Sequence, residues 1–253
     1  MRKKATVCFA LVVMLLVSAC AVTVLAGSAS AQSTADAWST FHHDLAHTGV
    51  SDSAAPRTNQ TLWKFSTGSQ MAPPVVADGV IYLGSYGRKV YAFSALNGTI
   101  MWTYTAGGVV LASVAVANGI VYAGSEDNKV YALNATTGEY IWSYSTGGGV
   151  ASSPALADDV VYVGSYDGRL YALDASKGTL VWDYATGDMV VSSPAVFNGI
   201  VYVGSFDHVI YAFGASPNEQ TNLTSFSVVL VFLLLEILVA TAALAVWYLR
   251  RKH

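Results

Sequence analysis

Residues 151–184 read ASSPALADDVVYVGSYDGRLYALDASKGTLVWDY. Apolar and polar residues alternate here in four short runs, Ala151 to Ala157, Val160 to Ser165, Arg169 to Asp174 and Thr179 to Tyr184, each bounded by turn formers. A period of two carried by β-branched and aromatic residues predicts strands. Asp167-Gly168, like Asp127-Asn128 one copy earlier, suits a two-residue hairpin whose central residues need positive φ, and Lys177-Gly178 marks the next turn. Four antiparallel strands in about 40 residues make one blade of a β-propeller.

Sliding the chain along itself by 40 residues shows that this blade is one of several. Tyr82, Tyr122, Tyr162 and Tyr202 coincide, as do Gly84, Gly124, Gly164 and Gly204, and the Ser and Tyr columns that begin at Ser85 and Tyr91. Trp102, Trp142 and Trp182 keep the period, and so do the turn glycines Gly98, Gly138 and Gly178. The fourth copy breaks at Gly214-Ala215-Ser216-Pro217, and Asn222 stands where Trp is due, so its outer strand is missing. Thr61 to Gly68, with Trp63, matches that strand and precedes the first copy. The predicted fold is therefore all-β, a propeller of four four-stranded antiparallel blades over residues 72–105, 111–146, 150–185 and 190–215, the last completed by 61–68. Such closure removes two open sheet edges. Donated within one chain, the strand makes a four-bladed monomer, the reading slightly favoured here; donated between two chains, it makes an eight-bladed homodimer. Pro74, Pro154 and Pro194 share a register in the first strand, where Val114 stands in the second copy, and mark that strand as the inner edge of each blade.

The run Ala172-Leu173-Asp174-Ala175-Ser176-Lys177-Gly178-Thr179-Leu180-Val181-Trp182 resembles the tryptophan-docking repeat of the pyrroloquinoline-quinone-like β-propeller family, whose pattern is Ala-x-Asp-x-x-Thr-Gly-x-x-x-Trp. Ala132, Asn134, Thr137, Gly138 and Trp142 fit it, as do Ala92, Gly98 and Trp102. The resemblance covers about residues 38–215, including a lead-in from Trp38 to Gly49. It implies a propeller similar to the BamB-type assembly-factor propellers, which work through protein contacts, or to quinone-dependent dehydrogenases. Members of the family usually have eight blades.

A quinoprotein dehydrogenase of that family would need a calcium site, a catalytic Asp and often adjacent cysteines. The only cysteines, Cys8 and Cys20, lie in the leader. Asp127, Asp167 and Asp207 recur at a hairpin, where Asp serves backbone geometry. His42, His43 and His47 lie on an extended lead-in where adjacent imidazoles point apart, so they read as packing residues of that segment, with Asp44 or the hydroxyls of Thr40 and Thr48 as partners. Glu126-Asp127 and Asp158-Asp159 read as solvated turn acids, with weak calcium binding as the alternative. No catalytic residue, cofactor or metal ligand is assigned. Asn59, Asn97, Asn134 and Asn222 head glycosylation sequons.

The ends of the chain set the expected location. Arg2, Lys3 and Lys4 precede an apolar run that closes on Ala29-Ser30-Ala31, the pattern of a signal peptide over 1–31. An uncleaved anchor and lipidation at Cys20 are the alternatives. Phe226 to Leu249 is a 24-residue apolar run with one charge, Glu236, long enough to cross a membrane, after a tether at 216–225. Arg250, Arg251 and Lys252 then hold the tail 250–253 in the cytoplasm, which makes a single-pass type I protein with its body outside. Residues 32–224 carry seven Lys/Arg against fifteen Asp/Glu, a net charge of −8, and this argues against a nucleic-acid partner. The functional expectation is a non-catalytic binding or assembly scaffold for protein or glycan, working through loops near Gly107 to Val109, Gly147 to Gly149 and Gly187 to Met189. A quinone-dependent oxidoreductase, or a degenerate relative of one, is the alternative.

Overall fold

A computed structural model describes Thr40 and residues 56–214, all within the second of the two units into which the chain divides, Ala37–His253. The leader, the three lead-in histidines, Asn222, the tether, the apolar run 226–249 and the tail lie outside the described residues. Among the described residues, no helix is long and apolar enough to cross a membrane.

Blade 1 comprises β1 (Val75–Ala77), β2 (Val80–Gly84), β3 (Lys89–Ser94) and β4 (Ile100–Thr105) in the order β1-β2-β3-β4. Blade 2 repeats this with β5 (Ala115–Ala117), β6 (Ile120–Ser125), β7 (Lys129–Asn134) and β8 (Tyr140–Ser145), and blade 3 with β9 (Ala155–Ala157), β10 (Val160–Gly164), β11 (Arg169–Asp174) and β12 (Leu180–Ala185). Among the described residues, blade 4 has β13 (Ala195–Phe197), β14 (Ile200–Gly204) and β15 (Ile210–Phe213) and no fourth strand. All pairs are antiparallel, and each complete blade shifts register once, at Ala92/Phe93, Ala132/Leu133 and Ala172/Leu173. The short inner strands β1, β5, β9 and β13 neighbour one another in series. Pro74, Pro154 and Pro194 each stand one residue before an inner strand, where the missing N–H breaks no ladder.

The core lies between blades. Val90 and Trp102 of blade 1 pack with Val114, Val121 and Leu133 of blade 2, and Trp142 and Val130 of blade 2 pack with Val161 and Leu173 of blade 3. Leu170 of blade 3 meets Val190, Val201 and Val203 at blade 4. Repeated aromatic and β-branched residues are what such sheet-to-sheet contacts need, because blades 2 and 3 bury both faces against their neighbours.

Two expectations are corrected. The first concerns ring closure: blade 4 is a three-stranded sheet, and 61–68 joins no sheet among the described residues. The Trp63 indole N–H instead donates to the Ala95 carbonyl of blade 1 at 3.0 Å, as Trp102 does to Ala135 at 2.8 Å and Trp142 to Ala175 at 2.9 Å. Docking on the next blade and pairing within a blade are separate interactions. The segment makes the first without the second, and it stands as the outer strand of a blade that would precede blade 1. The second correction concerns turns. Positive φ at two adjacent residues occurs in the first hairpin of each blade, at Asp78-Gly79, Asn118-Gly119, Asp158-Asp159 and Asn198-Gly199. In the second hairpin only one residue has it, Arg88, Asn128, Gly168 or His208, after a turn closed by bonds such as Gly168 N–H to Ser165 O at 3.2 Å. Asp127 and Asp167 lie outside the left-handed region, as Gly87 and Asp207 do at the same position of the other blades.

Candidate functional site

Blade 1 locks to blade 2, and blade 2 to blade 3, through one backbone oxygen each. Ala135 O, in the turn after β7, accepts both the Trp102 indole and the Tyr82 hydroxyl, the latter at 3.1 Å. Ala175 O accepts Trp142 and Tyr122 in the same way, with the hydroxyl at 3.2 Å. The rings lie over the turn glycines: a Cβ on Gly138 would stand 2.6 Å from Trp102 Cδ2, and one on Gly178 2.5 Å from Trp142 Cδ2. Gly98 meets Trp63 likewise. These glycines thus serve a positive φ and a close ring approach together.

The glycines at the ends of the second strands form a second set of sockets. A Cβ on Gly124 would stand 2.5 Å from Val150 Cγ1, and Gly84 and Gly164 meet Val110 and Val190 in the same manner. Gly204 meets only Ser192, at 3.6 Å.

The recurring aspartates complete the junctions. Gly107, Gly147 and Gly187 donate backbone N–H groups to Asp127, Asp167 and Asp207 at 2.8, 2.6 and 2.7 Å. The same oxygen accepts the hydroxyl of Tyr131, Tyr171 or Tyr211 at 2.5, 2.6 and 2.7 Å. Each carboxylate therefore staples the incoming interblade loop to its own blade, and charge-assisted bonds of this kind are among the stronger ones. Copy 1 has Gly87 at this place and no staple. The Tyr211 hydroxyl, with the Gly187, Val209 and Ser205 groups, holds the Asp207 carboxyl below its ordinary range.

The tyrosines respond in the opposite direction. Burial, with Asp159 and Asp174 nearby, pushes Tyr122 up to about 12. Burial and the Asp167 bond push Tyr171 up to about 12, and Tyr131 is raised by burial and Asp127. Because these folded-state values lie above 10.0, their stabilising effect is complete below about pH 10 and is lost as the pH climbs from 10 towards 12. We expect tyrosinate absorbance and loss of the strand signal in circular dichroism to rise together across that window. Ionisation of these phenols near pH 10 with the strands intact would contradict it.

The staples organise one face of the arc. The loops at Gly107 to Val109, Gly147 to Gly149 and Gly187 to Met189, expected as the binding loops, lie beside the second hairpins of the following blades. Glu126, Tyr166 and Phe206 donate N–H groups to Val109, Gly149 and Met189, each at 2.9 Å. Tyr86 donates to Gln70 at 2.9 Å. These four equivalent positions present outward side chains: Tyr86 is 48%, Tyr166 37% and Phe206 54% exposed, and Glu126 is exposed too. The Tyr166 ring lies over Gly149, where a Cβ would stand 2.8 Å from Cδ2. The sequence reading missed this column, because aligning the copies draws attention to residues that do not change; the signal was the aromatic residue after Ser85, Ser165 and Ser205.

Other predicted sites fall as follows. Asp158 and Asp159 are hairpin residues, and among the described residues no three His, Cys, Asp or Glu gather around a common point. Asn59 and Asn97 are exposed. Asn97 accepts bonds from Thr99, and half-buried Asn134 accepts the N–H groups of Thr136 and Thr137, both at 2.9 Å.

The family model described as outer membrane protein assembly factor BamB matches residues 48–153 and 145–221. No curated protein matches. Among solved structures, BamB from Moraxella catarrhalis is 24% identical with a TM-score of 0.56, over 60% of this chain and 49% of that one. The computationally designed Ika4 protein is 18% identical with a TM-score of 0.58, over 63% of this chain and 100% of that one. Quinohemoprotein alcohol dehydrogenase from Comamonas testosteroni is 22% identical with a TM-score of 0.60, over 67% and 35%. This chain spans about half the length of the BamB structure.

Proposed function

Because this chain belongs to the pyrroloquinoline-quinone-like propeller family of the outer membrane protein assembly factor BamB, we propose that it is a non-catalytic scaffold of the cell envelope that binds a protein or glycan partner. The observation that carries this reading is the division of labour among the recurring residues. The repeated carboxylates are committed to staples, while the variable column beside them offers Tyr86, Tyr166 and Phe206 to solvent on one face. Exposed aromatics held on rigid turns are the side chains that carry most binding energy at interfaces, and their flat faces also suit sugar rings. The apolar run 226–249 anchors the propeller, with the arc on the extracytoplasmic side.

The test is capture from the native cell envelope by the full chain, compared with a triple variant, Tyr86→Ser, Tyr166→Ser and Phe206→Ser. Interface hot spots contribute about 2 kcal/mol or more each, so retention should fall at least about tenfold. Protease or glycosidase treatment of the captured material separates a protein from a glycan partner. Equal capture by both forms would overturn the reading, as would dye-linked alcohol oxidation on adding the quinone and calcium.

A further inference from the structure

The two ends of the arc are complementary, and neither is satisfied among the described residues. At the end of blade 4, Ile210 is 76% exposed, whereas the equivalent Val90, Val130 and Leu170 are 1%, 0% and 0% exposed. Ala212 is exposed, while Ala92, Ala132 and Ala172 are 0% exposed. Among the described residues, the outer edge of β15 lacks the strand that β3, β7 and β11 each have, and the Gly204 socket lacks the residue that fills Gly84, Gly124 and Gly164.

At the other end the missing parts are present in surplus. Trp63 docks on blade 1 as Trp102 docks on blade 2, so 61–68 is already held at the position of an outer strand, though it pairs with none. Thr67 Oγ1 donates to Ser69 O at 2.8 Å, repeating the turn in which Thr146 donates to Gly148 at 2.7 Å and Thr186 to Asp188 at 2.6 Å. Thr146 and Thr186 also donate across their own blades to Asn128 and Gly168, at 3.0 and 2.8 Å, bonds for which Thr67 has no counterpart strand here. Gln70 accepts from Tyr86 as Val109 accepts from Glu126, so Met71, the next residue, stands where Val110 stands and is the counterpart of the socket-filling valines. Leu62 is 84% and Phe65 48% exposed.

We propose that two copies of this chain join head to tail, the 61–71 segment of each completing blade 4 of the other, to close a twofold ring of eight blades. The occupant is a second copy because both ends lie within the described residues of one chain and do not meet there: the atoms nearest a Cβ on Gly204 belong to Ser192. A head-to-tail contact closes when the rotation allows it, and a twofold ring leaves neither end bare. The arc accounts for 49% of a BamB chain, so two arcs supply that length.

Register follows from the complete blades. Lys89 opposes Thr105, Val90 opposes Tyr104 and Ala92 opposes Trp102, so Val209, Ile210 and Ala212 should oppose Ser66, Phe65 and Trp63 of the second copy. The Lys89–Thr105 position is next to the bond from Ala106 N–H to Arg88 O and is the closely spaced kind of pair that a disulfide can bridge.

The test uses full chains. One tagged copy carries Ser66→Cys, and a second with a different tag carries Val209→Cys; both positions are exposed, so neither change disturbs folding. Co-expression followed by mild oxidation should give a reductant-sensitive species of twice the chain mass bearing both tags, absent from unsubstituted chains that keep Cys8 and Cys20. Adding Ile210→Lys should remove most of it while leaving the circular dichroism unchanged. A chain carrying both cysteines should stop at the dimer. A link within a single chain would mean four-bladed closure, a ladder would mean an open filament, and no link would mean that the ends do not meet; each would overturn the proposal.

Discussion

Trp142→Ala should destabilise the propeller by about 3–5 kcal/mol, the range for removing a buried Trp side chain from a packed core. The ring is 7% exposed, lies 5.9 Å from the Tyr122 ring and covers Gly178, so truncation opens a void between blades 2 and 3. Trp142→Phe should cost distinctly less. It removes one N–H, but Ala175 O keeps the Tyr122 hydroxyl and is not left bare. Denaturant titration of the purified full chain measures both values. A cost for the alanine variant below about 1 kcal/mol would mean that the indole does not hold the blades together.

Gly138→Ala attacks the same kind of junction from the acceptor side and should cost about 2–5 kcal/mol. Two contributions add. Alanine at φ +73 carries about 1–2 kcal/mol of left-handed strain, and its methyl would press on Trp102, an overpacking cost of about 1–3 kcal/mol. Gly79→Ala separates them, because Gly79 has the same φ of +73 with nothing within 4 Å of the added carbon. The control should lose only the strain component. Equal losses in the two variants would remove the docking contact from the account.

The blade was legible in the sequence wherever a residue's chemistry and its period agreed. The Trp and Gly columns gave both the unit and the contact between units, and β11 begins and ends at Arg169 and Asp174 as the alternation implies. The inner strand was overestimated: Ala151 to Ala157 reduces to Ala155–Ala157, because the small residues before Pro154 bond to neighbouring blades instead, as Ser152 does to Ser192 O at 2.9 Å. The aspartates show where local reasoning stops. Asp-Gly at residues 167 and 168 is a sound hairpin signal, yet the partner that the Asp carboxylate takes is Gly147, twenty residues back in the interblade loop. Closure failed for a related reason. Matching 61–68 to an outer strand was right in kind, but a pattern says what a strand can pair with, not which of two equivalent edges it meets.

The double acceptor at the junctions of blades 1 and 2 and of blades 2 and 3 has an evolutionary consequence. Ala135 and Ala175 contribute a main-chain oxygen to the lock, and every amino acid has one. Mutation can delete the donors but not the acceptor, so a duplicated blade inherits a working receptor whatever its turn sequence becomes, provided the glycine beside it survives. Compatibility between neighbours is then a property of the module and not of the pair. Gene duplication can lengthen, shorten or split such an array between chains without inventing a new interface.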